Sequence, residues 1–105
     1  VYTHFAATGT SADDLAAMRA QLATFTQAVD AVRALRGVRR HACNTLGALA
    51  LPAAHLDAVR IGGGLYGFDP FRGSGPAAPA ASAPVALWPA LALKARLVGL
   101  RTVPA

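Results

Sequence analysis

The stretch Val59-Arg60-Ile61-Gly62-Gly63-Gly64-Leu65-Tyr66-Gly67 sets a fixed positive charge just before three glycines and an aromatic ring. Glycine lacks a Cβ, so a ligand can reach the main-chain N–H groups, and a guanidinium beside such a run suits an anion such as a phosphate. A plain turn after a strand has the same composition, so neighbouring residues must separate the two readings. Two further segments carry polar groups that could join a site: Tyr2-Thr3-His4-Phe5-Ala6 and His41-Ala42-Cys43-Asn44-Thr45. A histidine at a strand end either satisfies local hydrogen bonds or faces a ligand. Asn44 or Thr45 can cap a following helix, and a capping hydroxyl also serves a phosphate when one is present.

The elements that must position these groups follow from periodicity. Residues 1–6 are β-branched and aromatic and read as the end of a buried strand. Ser11 with Asp14 is a capping-box start, and Leu15, Met18, Leu22, Phe25, Val29 and Val32 form one apolar stripe, which predicts a helix over 13–35 stopped by Gly37. A second strand is expected over 39–45, a short apolar helix over 46–51 ending near Pro52, and a third strand over 58–61. Strand, long helix, strand, short helix, strand is a parallel β/α succession, which gathers ligands at the carboxyl ends of its strands. His4, His41, Asn44, Thr45, Arg60 and Gly62 all fall on that edge. Residues 73–84 change to Gly, Ser, Pro and Ala and read as a linker, and the alternation of Leu91, Leu93 and Leu97 with Lys94 and Arg96 predicts one or two strands of a second domain over 85–105.

Composition narrows the function classes. The chain has 105 residues, is 54% hydrophobic and has a mean hydropathy of +0.40, high for a free-standing domain of that size. It opens at Val1 on a strand-like run, so it is expected to be a piece of a longer protein. The formal charge of +5 raises nucleic acid as a partner, but the basic residues are scattered apart from Arg39-Arg40 and are not interleaved with aromatics. One cysteine, Cys43, allows no internal disulfide and no cysteine-based zinc site, which fits a reducing cytoplasm, and it reads as a small buried apolar residue. Lys94 and Arg96 interrupt the C-terminal apolar run before it could span a bilayer.

The segments around His4, around His41 to Thr45 and from Val59 to Gly67, in that order and spacing, resemble the alanine racemase family of fold-type III pyridoxal phosphate enzymes. Pro84-Val85 and Leu93-Lys94-Ala95 are similar to the family's entry into its C-terminal domain. The resemblance implies an α/β fold in which residues 1–72 are the last three units of a (β/α)₈ TIM barrel, joined through 73–84 to the first strands of a mostly-β domain. It implies that Thr45 and the N–H groups of Gly62 and Gly63 bind the cofactor phosphate. Arg60 then faces the pyridine nitrogen, with His4 and His41 in the hydrogen-bond network around it, and Asn44 is among the cofactor-binding residues. The implied activity is interconversion of L-alanine and D-alanine for peptidoglycan, in a cytoplasmic homodimer. Both catalytic bases, a lysine and a partner subunit's tyrosine, match no residue here, so these residues are expected to be inactive alone. Thr45 stands where serine is usual, and Gly63 where an apolar side chain is common. A serine or broad-specificity racemase, a non-catalytic barrel relative and a basic module built on the long helix are the other readings.

Overall fold

The computed structural model describes residues 1–72 and 85–103. The first helix, α1, spans Ala12–Ala31 and starts as its sequence requires. Ser11 is extended, its Oγ accepts from the Asp14 N–H at 3.1 Å, and the Asp14 carboxylate accepts the Ser11 N–H at 3.2 Å. Asp thus closes the capping box that Glu or Gln usually closes, and both first-turn acids face the positive end of the helix dipole.

The helix ends four residues short of the expected Leu35. Val32 has extended backbone, a single 3₁₀ turn covers Arg33–Leu35, and Gly37 turns the chain at φ +77°. The apolar stripe ends with it: Leu15, Met18 and Val29 are buried, whereas Val32 is exposed. A β-branched residue with no surface to pack on gains nothing from continuing the helix.

In place of the three expected strands there are extended segments around Tyr2, His41 and Ala58, joined only by isolated parallel bridges from Tyr2 to His41 and from His41 to Ala58. Parallel order is as the sequence implied, with the His41 segment in the middle, but no continuous ladder forms among the described residues. Thr3 N–H donates to His41 O and His41 N–H to Val1 O, both at 3.2 Å, and the Arg60 N–H donates to Cys43 O at 2.9 Å. Arg40 fastens this array to its surroundings, pairing with Asp30 of α1 at 2.7 Å while its N–H donates to the Asp57 carboxylate at 2.8 Å.

The second helix, α2, spans Thr45–Ala50 and is capped by Asn44, whose Oδ1 accepts from the Gly47 N–H at 2.9 Å. A 3₁₀ turn at Pro52–Ala54 follows, as proline there predicts. Phe5, Leu15, Met18, Ala42, Cys43, Leu46, Ala50, Leu51 and Ala54 make one core beneath the bridged segments. Gly47 lets α2 lie on Phe5, since a Cβ there would stand 2.8 Å from the ring.

The triple glycine is a 3₁₀ turn, Gly63–Tyr66, closed by Gly67 at φ +81°. The expected linker, 73–84, lies outside the described residues. The strands expected over 85–105 do not form over the described part, 85–103: the backbone there has neither helix nor strand, and Leu93 and Val98 are 98% and 94% exposed. Alternating sequence makes a strand only with a neighbour to pair with. Here the one backbone bond among the described residues runs from Ala90 N–H to Tyr66 O at 3.1 Å. No helix among the described residues is long and apolar enough to cross a membrane.

Candidate functional site

Arg60 leaves the third extended segment and runs back across the ends of the other two. Its Nη2 donates to Thr3 O at 3.0 Å, to His4 Nδ1 at 3.0 Å and to Ala42 O at 3.3 Å, and its Nη1 donates to His41 Nδ1. Arginine has only donors. Both imidazoles must therefore accept through Nδ1, which fixes each as the neutral tautomer carrying its hydrogen on Nε2. Tyr2 stacks on His41 with ring centroids 5.2 Å apart and planes 12° from parallel, and the guanidinium carbon lies 5.2 Å from the Tyr2 ring centre. A cation over that aromatic face is further held by the ring quadrupole. Among the described residues the Nε–H of Arg60 has no acceptor, so a donor remains for a ligand.

Thr45 begins α2 and meets the glycine turn. Its Oγ1 accepts from the Gly62 N–H at 3.1 Å and from the Gly64 N–H at 3.2 Å. Both hydroxyl lone pairs are engaged, which leaves its hydrogen to donate outward. Of the two amides expected to face a phosphate, that of Gly62 donates to Thr45 here, whereas the Gly63 N–H has no acceptor among the described residues. Asn44 uses its side-chain oxygen to cap α2.

These groups open on one cleft of about 660 Å³, lined by His4, Asn44, Thr45, Arg60, Gly62 and Gly63 together with Thr8, Leu46, Ile61, Phe68 and Pro70. Six of the seven residues singled out in the sequence share it. His41 is the exception: it lies behind Arg60 and holds it. The apolar lining from Leu46, Ile61, Phe68 and Pro70 gave no sequence signal beyond ordinary hydrophobic residues. Gln21 was missed as well. From α1 its Nε2 donates to His4 O at 2.7 Å and to Thr3 Oγ1 at 3.0 Å, and its Oε1 accepts the Ala6 N–H at 3.0 Å. A glutamine on a helix face has no sequence mark that would single it out.

Cys43 lies fully buried under the site, its thiol donating to Ala54 O at 3.0 Å. Burial pushes it from 9.0 up to about 11, with the nearby Arg60 charge opposing. It is a protonated core residue, as the sequence suggested.

The cleft combines hydrogen-bond donors with an apolar lining. It has a donor left on a fixed cation at one part, an outward hydroxyl and an unpaired amide at another, and apolar walls beside them.

Residues 1–70 match the family model described as alanine racemase, N-terminal domain. An alanine racemase of Desulfovibrio desulfuricans is 38% identical over 107 residues, covering 99% of this chain and 26% of that protein. The alanine racemase of Carboxydothermus hydrogenoformans is 39% identical over 108 residues, covering 100% of this chain and 27% of that protein. One from Desulfosudis oleivorans is 38% identical over 107 residues, with 100% and 25% covered. The chain thus spans about a quarter of the length of the curated relatives it matches. No solved structure matches it. By the family match over residues 1–70 and these identities, the chain belongs to the alanine racemase family.

Proposed function

We propose that these residues are the cofactor-binding end of a pyridoxal phosphate-dependent alanine racemase, which interconverts L-alanine and D-alanine. Residues 1–72 are read as the last three units of its (β/α)₈ barrel and 85–105 as the start of its β domain, whose missing strands would give 85–103 the pairing it lacks. The observation that carries the proposal is the Arg60 guanidinium, held by His4 and His41 at a cleft that the Thr45 hydroxyl and Gly62–Gly63 also line.

When bound, pyridoxal phosphate supplies an electron sink for the carbanion left as the substrate loses its α-proton. Thr45 and the Gly63 N–H would donate to its phosphate. Arg60 presents a donor to its ring nitrogen and, because arginine keeps its proton at any ordinary pH, offers that nitrogen none. This moderates the sink and favours return of the proton over other outcomes. Through Nδ1, His4 and His41 hold the guanidinium in place, and Tyr2 braces His41 from the far side. Lys94, the one lysine here, lies in the 85–103 stretch away from the cleft lining. On this reading the residues that move the proton belong elsewhere in the intact gene product or in a partner subunit.

The intact gene product is expected to bind pyridoxal phosphate, turn yellow and racemise L-alanine. Arg60→Lys, which keeps the charge but cannot reach the same acceptors on two sides, is expected to shift the absorption band and lower kcat about 10²-fold or more. A colourless protein that cannot be reconstituted with the cofactor, or an Arg60→Lys variant with unchanged spectrum and rate, would defeat the proposal.

A further inference from the structure

The Thr45 hydroxyl sits on two amides only because of what is missing across from it. A Cβ built on Gly64 would stand 2.8 Å from the Thr45 methyl, Cγ2, and 3.0 Å from Ile61 Cγ2, while lying 3.5 Å from Thr45 Oγ1. The last distance is ordinary contact, and the Ile61 approach needs only a few tenths of an ångström. The methyl contact cannot be absorbed in that way. Threonine branches at Cβ, so its methyl and hydroxyl turn together, and χ1 has only staggered wells to move between. Rotating the methyl away from a new side chain carries Oγ1 off the N–H groups of Gly62 and Gly64.

We infer that Gly64 is a positioning residue: by having no side chain it admits the Thr45 methyl, and so keeps the Thr45 hydroxyl on the Gly62 and Gly64 amides with its hydrogen turned outward. Threonine at 45 and glycine at 64 are one coupled choice. A serine at 45 would have no methyl to collide, so the constraint on 64 belongs to this chain's own threonine. The consequence for ligand binding rests on the proposed reading of the cleft as a phosphate site. If Thr45 donates to that phosphate, Gly64 governs affinity for the phosphorylated cofactor without touching it.

The test is a double-mutant cycle of Gly64→Ala and Thr45→Ser in the intact gene product, read by thermal unfolding without ligand and by titration with pyridoxal 5'-phosphate and with unphosphorylated pyridoxal. Gly64→Ala alone is expected to lower the melting temperature by several degrees and weaken pyridoxal phosphate binding about tenfold, the scale of one hydrogen bond to a charged group. Pyridoxal binding should be unchanged. In the Thr45→Ser background the same Gly64→Ala change should cost little in either measurement. Equal cost of Gly64→Ala in both backgrounds would overturn the coupling. Coupling in unfolding with no change in pyridoxal phosphate affinity would overturn the role in phosphate binding. Failure of the unmutated protein to bind pyridoxal phosphate would defeat the cofactor reading and that role with it, while the unfolding cycle still decides the pair.

Discussion

Arg60 and Cys43 are near neighbours with opposite fates, and the difference lies in what surrounds each. Arg60 has acceptors on the other two extended segments and a cleft beside it, so its charge is used. Cys43 has the core on every side and one carbonyl to donate to. Because its folded-state value is raised from 9.0 to about 11, its contribution to stability is intact below about 9 and is lost as pH rises toward 11. The sign follows from the proton count: in that window the unfolded thiol has ionised while the folded one has not, so the unfolded state binds fewer protons. The native protein is expected to resist thiol reagents at neutral pH and to react at once in denaturant; fast native labelling of Cys43 would contradict its burial. At this scale the sequence was most readable where a residue type has few uses. Arg60 beside three glycines, and Thr45 before an apolar helix, announced a site. Tyr2 as the brace of His41, and Gly64 as the space for a methyl, could not be read, because both depend on which atoms the fold brings opposite one another.

Among the elements, the start of α1 was legible because capping is local: Ser11 and Asp14 sit three apart whatever the rest of the chain does. Its end was not, because an apolar stripe continues in the sequence whether or not a surface is there to cover it. The extended segments were placed correctly in order and direction, yet pairing is a property of two segments at once, and single bridges are what these make. What binds α1 to the site is Gln21. Its amide joins α1 to Thr3, to His4 and to Ala6, and thereby fixes the carbonyl and ring on either side of the Arg60 contact. Gln21→Leu keeps the volume and removes all three bonds. It is expected to cost about 0.5–1.5 kcal/mol, since the exposed Ala6 N–H and His4 carbonyl exchange their partner for water, and to loosen His4. Chemical denaturation would measure the first effect and broadening of the His4 ring signals in NMR the second. A variant as stable as the parent, with sharp His4 signals, would show that helix packing alone sets the strand end.

Across the whole molecule, the described stretch 85–103 meets the rest near its start, where Val85 and Leu87 line a small cavity with Thr45, Leu49, Ile61, Gly64 and Leu65 and the chain then crosses the glycine turn. Ala90 N–H bonds to Tyr66 O, and the main chain at Trp88 and Pro89 crosses directly over Gly67. Gly67 has two reasons to be glycine: its φ of +81° and the Trp88 carbonyl lying where a Cβ would go. Alanine there would bear about 1–2 kcal/mol of backbone strain and would also push the crossing chain away. The glycine turn that lines the cleft and the crossing point thus share one short element, Gly63–Tyr66 with its cap at Gly67. Undocking should therefore be felt at the turn but not in the core, which includes none of the turn residues Gly63–Tyr66. Trp88 is the single tryptophan of these 105 residues, so in this chain its fluorescence reports the event without a label. Gly67→Ala is expected to lower Trp88 anisotropy while leaving Cys43 protected from thiol reagents. Loss of Cys43 protection would mean that the crossing holds the core together, and unchanged anisotropy would mean that the chain at 88–90 is held by something other than this contact.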